Sequence, residues 1–206
     1  MAVEIFERLP TLQHLIDLLR DTFEAEVQPS EDVSRVSKTI FSALERKIGV
    51  VGNPEPRRLE ACSYIESALD TMRLGPPSLN RIAGALLAIE PKLKWYRPTI
   101  LNRPTDDGYD SIVNAILIGP NGLEQRDDVM IGLTIMGPQT LYPNHQHLPE
   151  EIYRVLSEGE WRQNDGPWHE PGLGGTVYNL SNIVHAFRSK SRPLCAIWCL
   201  WRADQY

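Results

Sequence analysis

Tyr142-Pro-Asn-His145-Gln-His147-Leu-Pro-Glu150-Glu151-Ile-Tyr153 is the segment whose reading decides the fold. Successive strand side chains point to opposite faces, so on a strand His145 and His147 share one face and can both reach one ion. Pro149 bends the chain, Glu151 follows His147 by four residues, and Glu151 and Tyr153 again share a face by the period of two. Two imidazoles, a carboxylate and a phenol can therefore converge inside a barrel. His185, after the turn-like Asn179-Leu-Ser-Asn182, begins another strand and can supply a fourth ligand from a facing position. Glu150 competes with Glu151 as the acid but breaks the alternation with Tyr153. His-x-His alone fits an exposed polar strand edge; the acid, the phenol and the later histidine turn it into a candidate metal centre of His145, His147, Glu151 and His185. Imidazole and carboxylate donors suit one divalent Fe, Mn, Co, Ni or Zn ion without choosing among them. At least one coordination position is expected to stay open, as in catalytic sites.

Around this segment, short apolar or alternating runs are divided by Gly, Pro, Asn and Asp. Ser111–Ile118, Val129–Met136, Glu151–Leu156, Gly175–Asn179, His185–Arg188 and Pro193–Arg202 read as strands. Such closely spaced strands predict an antiparallel sandwich or barrel of the jelly-roll kind. The first ~90 residues follow a helical period instead. Leu9, Leu12, Leu15, Ile16, Leu18 and Leu19 mark one helix; Val33, Val36, Ile40, Phe41, Leu44 and Ile48 mark a second, with Ser30 as its N-cap and Gly49 closing it. A third segment runs from about Pro56 to Met72 and a fourth from about Leu79 to Ile89. The chain divides accordingly into a helical region, 1–92, packed on a β-barrel, 93–206, that carries the metal site. The helical half is a candidate dimerisation element.

The 206 residues are 42% apolar and 23% charged, with a formal net charge of -6. An acidic chain with no Lys/Arg run longer than the pair Arg57-Arg58 lacks the basic surface that phosphate backbones require, which excludes a nucleic-acid binder and favours small-molecule ligands. No apolar stretch approaches the roughly 20 residues of a membrane span, and Met1–Arg8 carries charges where a signal peptide would be apolar. Cys195 and Cys199 lie four apart in a strand, about 13 Å at ~3.3 Å per residue, too far for a disulfide. With Cys62 they read as reduced core thiols of a cytoplasmic protein.

His-x-His-x3-Glu followed by a distant histidine resembles the two cupin motifs, which supply three histidines and one glutamate to a divalent metal. The added Glu-x-Tyr, together with the closing Leu-Cys-Ala-Ile-Trp-Cys-Leu-Trp-Arg, is similar to the bacterial cupin-type dimethylsulfoniopropionate (DMSP) lyases. The resemblance implies a mainly β cupin barrel with an N-terminal helical region. It implies Tyr153 as the base, and Tyr142, just before the histidines, as a residue near the substrate and a candidate for both binding and catalysis. Three positions depart from the general cupin pattern: Gln139 where a glycine is usual, Leu180 for a proline and Ser189 for an asparagine.

The implied reaction cleaves DMSP to dimethyl sulfide and acrylate by β-elimination. Its difficult step removes a proton beside a carboxylate; a cation on that carboxylate spreads the developing charge, and the same cation lowers the pKa of a nearby phenol. The cationic end of the substrate needs an aromatic wall, worth roughly 0.5–2 kcal/mol; Trp198, Tyr142 and Tyr178 are the candidates. His169 reads as a loop surface residue, and His14 as a helix residue with no partner in view. Two other readings fit the same ligands: another metal-dependent cupin enzyme, an isomerase or dioxygenase, and a non-catalytic small-molecule-binding cupin.

Overall fold

The computed structural model describes residues 7–26, 28–73, 75–99 and 109–202; the charged first residues, 1–6, lie outside them. Four helices lead the chain: α1 (Pro10–Glu24), α2 (Glu31–Arg46), α3 (Ile65–Arg73) and α4 (Pro77–Ile89). The strands are β1 (Val50–Val51), β2 (Ile112–Ile118), β3 (Glu124–Gln125), β4 (Val129–Met136), β5 (Leu141–His145), β6 (Glu150–Val155), β7 (Glu160–Gln163), β8 (Thr176–Asn179), β9 (His185–Arg188) and β10 (Leu194–Trp201). Seven form one sheet in the order β1-β3-β2-β4-β10-β6-β8, and three form a second, β5-β9-β7.

The large sheet buries both faces. Its outer face, including Val113, Ala115, Leu133, Ile135, Ile152 and Ile197, joins the helices' apolar stripes in one core; its inner face joins the small sheet in a second, built on Tyr142, Tyr153, Trp161, Phe187 and Trp198. Burial on both sides explains why Val129–Met136 reads as a continuous apolar run rather than an alternation.

Ser30 caps α2 as expected, its Oγ accepting from the Val33 N–H at 3.2 Å. Gly49, by contrast, does not close α2, which ends at Arg46 with an extended Lys47 after it. Gly49 is needed for space: a Cβ there would come within 2.3 Å of the Gln125 carbonyl oxygen. Its N–H donates to Glu124 Oε1 at 2.9 Å. The segment expected from Pro56 is also shorter as an α-helix; a 3-10 turn, Glu60–Tyr64, precedes α3. Strands β1, β3 and β7 and the pairing of β5 were not legible. Gln139 takes a left-handed φ of 53°, keeping the turn that a glycine would make at this position. Ser189 pins the same turn, donating to the Gly137 carbonyl at 2.6 Å and accepting from the Thr140 N–H at 2.9 Å. Cys62, Cys195 and Cys199 are all buried free thiols. Among the described residues no helix is long and apolar enough to cross a membrane.

Helices and sheet are tied by buried charge. Arg8, just before α1, forks onto Glu124 of β3 and donates to the Leu44 carbonyl of α2, while Arg126 lies 3.7 Å from the same carboxylate. Glu124 is 2% exposed, so removing it leaves the buried Arg8 guanidinium without its carboxylate, while Arg126 keeps Asp128 at 2.7 Å. Glu124→Ala is expected to lower unfolding free energy by about 3–5 kcal/mol in urea titrations. Asp70→Ala, which breaks only the exposed pair with Arg73, should cost under about 1 kcal/mol.

Candidate metal centre and cavity

The site forms where β5, β6 and β9 meet inside the barrel. His145 of β5 is the direct cross-strand partner of His185 of β9, and their rings lie 4.0 Å apart between centroids. Between Tyr142 and His145 the β5 register shifts, so these residues, three apart, bring their rings within 4.6 Å. His147 lies beyond the end of β5, so it joins the site from the following turn rather than by strand alternation; its ring is 5.1 Å from that of His185. Glu151 enters from β6, where Asn179 of β8 stands opposite it and donates to Oε2 at 2.9 Å. The structure thus brings His145, His147, Glu151 and His185 together.

Each imidazole has one nitrogen committed. Nδ1 of His145 meets the Pro143 carbonyl at 2.9 Å, Nδ1 of His147 the Pro149 carbonyl at 3.0 Å, and Nδ1 of His185 the Ile183 carbonyl at 3.0 Å. A carbonyl can only accept, so Nδ1 carries the proton and Nε2 is left as a bare acceptor, the form that binds metals. Nitrogens of the three histidines lie within 4.8 Å of one another. Glu151 Oε2 sits 3.3 Å from Nε2 of both His147 and His185, yet these two buried nitrogens make no hydrogen bond. Acceptors facing acceptors in a buried place repel unless positive charge lies among them. The donor set therefore fits a divalent cation held by three imidazoles and a carboxylate.

Electrostatics agree with this arrangement. Burial, then the neighbouring His185, lowers the His145 pKa to about 4, so this imidazole is neutral near pH 7. Burial disfavours the Glu151 carboxylate, but positive charge at His147 and His185 outweighs it and holds its pKa well below the ordinary range; with both imidazoles neutral, a cation among them takes over that role. Burial, then the Glu151 charge, pushes the Tyr153 phenol well above its ordinary value.

A cavity of about 140 Å³ opens on these groups. Tyr142, His145 and Phe187 of the small sheet line it, with His147 just beyond β5; Asn114, Met130, Thr134, Glu151, Tyr153, Trp198 and Leu200 come from the large sheet, and Tyr96 completes the lining. At about 30 Å³ per water, it holds a few waters or one small ligand. No Lys or Arg is among its described lining residues. Tyr96 also lines an adjoining cavity of about 340 Å³ with Lys94, Ile116 and Asn121.

Of the expected aromatic residues, Tyr142 and Trp198 face the cavity and Tyr178 does not. Tyr178 stands opposite outward-facing Ile152, its ring packs with the helical core, and its hydroxyl donates to Glu150 at 2.5 Å. Glu150 is likewise turned outward, held by Arg35 of α2 at 2.6 Å. His169 is exposed, as expected of a loop surface residue, and His14 lies on α1, as expected, where it is exposed. Sequence reasoning missed Tyr96, Asn114 and Thr134. The available signal was the lone polar residue within each apolar run, Asn114 in β2 and Thr134 in β4, which the structure pairs directly.

Fold and site together define a cupin-type barrel with a three-histidine, one-carboxylate cluster. The family model for DMSP lyase matches residues 32–196, and the chain belongs to that family of carbon–sulfur lyases. Dimethylsulfoniopropionate lyase DddQ of Ruegeria pomeroyi is 31% identical over 150 residues, covering 72% of this chain and 73% of that protein. The crystal structure of DMSP lyase DddQ from Ruegeria pomeroyi superposes with a TM-score of 0.75 at 25% identity, covering 96% of this chain and 94% of that one. A chain from the crystal structures of DMSP lyases RdDddP and RnDddQII shares the fold, with a TM-score of 0.66 at 20% identity over 95% and 94% of the two chains.

Adding Co²⁺ or Zn²⁺ to chelator-treated protein is expected to raise its Tm, since an ion at about 100 times its Kd stabilises by about 2.7 kcal/mol. His185→Ala and Glu151→Ala should remove most of that rise, and Glu150→Ala should keep it. Differential scanning calorimetry separates the two acids.

Proposed function

We propose that this protein is a metal-dependent DMSP lyase that uses Tyr153 as the base of a β-elimination. The reading is carried by one juxtaposition in a family member: the Tyr153 phenol, two residues beyond Glu151 on the same face of β6, shares a small cavity with the histidine cluster and stands opposite Trp198. His145, His147, His185 and Glu151 would hold the ion. When bound, a divalent cation supplies Lewis-acid polarisation of the substrate carboxylate and positive charge that lowers the phenol pKa.

The protein's own groups do the rest. Tyr153 Oη accepts the proton from the carbon beside the carboxylate. The freed electron pair forms the carbon–carbon double bond of acrylate, and the carbon–sulfur bond breaks with its electrons going to sulfur. Sulfur leaves as neutral dimethyl sulfide, so no acid is required to protonate it. Tyr142, its ring stacked on Phe187 at 4.6 Å, lines the same cavity and orients the substrate. Trp198 is the wall for the sulfonium, through its π face. Burial of Tyr153, at 2% exposure, keeps water off the base.

Headspace dimethyl sulfide released from DMSP tests this directly. Tyr153→Phe is expected to keep its metal, measured by elemental analysis, and to lose about 10²–10⁴-fold in gas release. Wild-type activity in that variant, or a metal-loaded wild-type protein inert toward DMSP, overturns the reading. Because the base works deprotonated and its phenol starts from a raised pKa, kcat should climb as pH rises from neutrality and level off only above the phenol pKa.

A further inference from the structure

Trp198 is gripped along one edge by strand β4. An indole N–H can only donate, and that of Trp198 donates to Thr134 Oγ1 at 3.1 Å. The Thr134 hydroxyl passes its own hydrogen to Asn114 Oδ1 at 2.8 Å, which fixes the direction of the chain and leaves the threonine oxygen free to accept from the indole. Two residues earlier, Gly132 is the direct cross-strand partner of Trp198. A Cβ at Gly132 would come within 2.2 Å of the indole Cζ2 and 2.3 Å of Cη2, and within 2.5 Å of the Ala115 carbonyl oxygen on β2. Its φ is not in the left-handed region, so this glycine serves space rather than backbone conformation. The tryptophan is 6% exposed and lines the cavity.

That wall contains no carboxylate. Glu151 is the one acid among the described lining residues, and its Oε2 is turned to the histidine cluster and accepts from Asn179. A cationic group on the substrate must therefore be recognised by aromatic surface, whose attraction depends on how the ring is placed.

We propose that Gly132 and Thr134 are positioning residues that seat the Trp198 indole as the onium-binding wall of the cavity. This rests on the lyase reading above. Gly132 is not among the lining residues, and Thr134, which is, acts on the indole through its hydrogen bond to Nε1.

The test uses full-length, metal-loaded protein and separates KM from kcat. Thr134→Val keeps shape and removes the acceptor, Thr134→Ser keeps the hydroxyl, and Gly132→Ala blocks the seat. Thr134→Val and Gly132→Ala are expected to raise KM for DMSP by about 2- to 30-fold, equivalent to about 0.5–2 kcal/mol. The same variants should leave kcat within about twofold, the signature of lost uniform binding. Thr134→Ser should restore the wild-type KM. The carbon isostere 4-methylpentanoate, which has the same shape and no positive charge, should keep its inhibition constant in both impaired variants. In a Trp198→Phe background, Thr134→Val should add nothing further.

A wild-type KM in Thr134→Val overturns the seat, and so does equal weakening of the isostere, which would mark a general structural loss. If Thr134→Val does not fold, Thr134→Ala, which removes the same acceptor without adding bulk, decides by the same two constants. The parent reading fails differently: wild-type protein itself then releases no dimethyl sulfide, and both proposals fall together.

Discussion

Nε2 of His147, Nε2 of His185 and Oε2 of Glu151 meet with the carboxylate 3.3 Å from each nitrogen, in a place largely shut off from water. All three are acceptors, because backbone carbonyls have claimed the Nδ1 proton of each histidine. Burying such a group without compensating charge is costly. The rest of the barrel is organised to hold that arrangement. The β5–β9 pairing sets His145 against His185, the β6–β8 pairing sets Asn179 against Glu151, and the register shift in β5 turns Tyr142 inward beside His145.

The two-faced sheet lets stability and chemistry occupy opposite sides of the same strands. On β6 the alternation is residue by residue. Glu151 and Tyr153 point into the cavity, while Glu150 meets Arg35, and Arg154 lies over the Phe23 ring and bonds Glu26. Adjacent glutamates thus have unrelated duties: one carboxylate faces imidazoles, the other ties α2 to the barrel. A one-residue slip in β6 would exchange them and turn both cores inside out. The helical half therefore does more than cap the barrel, because it covers the face of β6 whose reverse carries the site.

Much of this was legible because strand alternation and ligand spacing are local. Val129–Met136 and His185–Arg188 match their strands residue for residue, and the residues named from His-x-His-x3-Glu converge with His185. What was hidden is non-local. A bulge in β5, the seat of His147 beyond the strand end and the outward turn of Tyr178 depend on which strands pair and in what register, which no single window of sequence contains. Gly49 looked like a helix terminator because glycine usually serves that role, but the approach of the Gln125 carbonyl is what demands it. Gln139 is the reverse case, a residue with a side chain holding a left-handed turn where glycine is usual, so identity alone misstates the backbone.

The charge pattern of the cavity narrows what it can accept. With no described Lys or Arg on its wall and its one acid turned to the histidine cluster, the lining offers no side-chain ion pair to either end of a zwitterion. Under the lyase reading, the anionic end must find its positive charge at the histidine cluster and the cationic end its attraction on aromatic faces, and both line one space of about 140 Å³. Such a cavity orients a small zwitterion by polarity. A neutral molecule gains nothing at either pole, and a larger anion finds no second cation. The proton beside the carboxylate then lies between the two poles, on the side where Tyr153 enters from β6, so the chemistry that binds the two ends also brings the reacting carbon to the base.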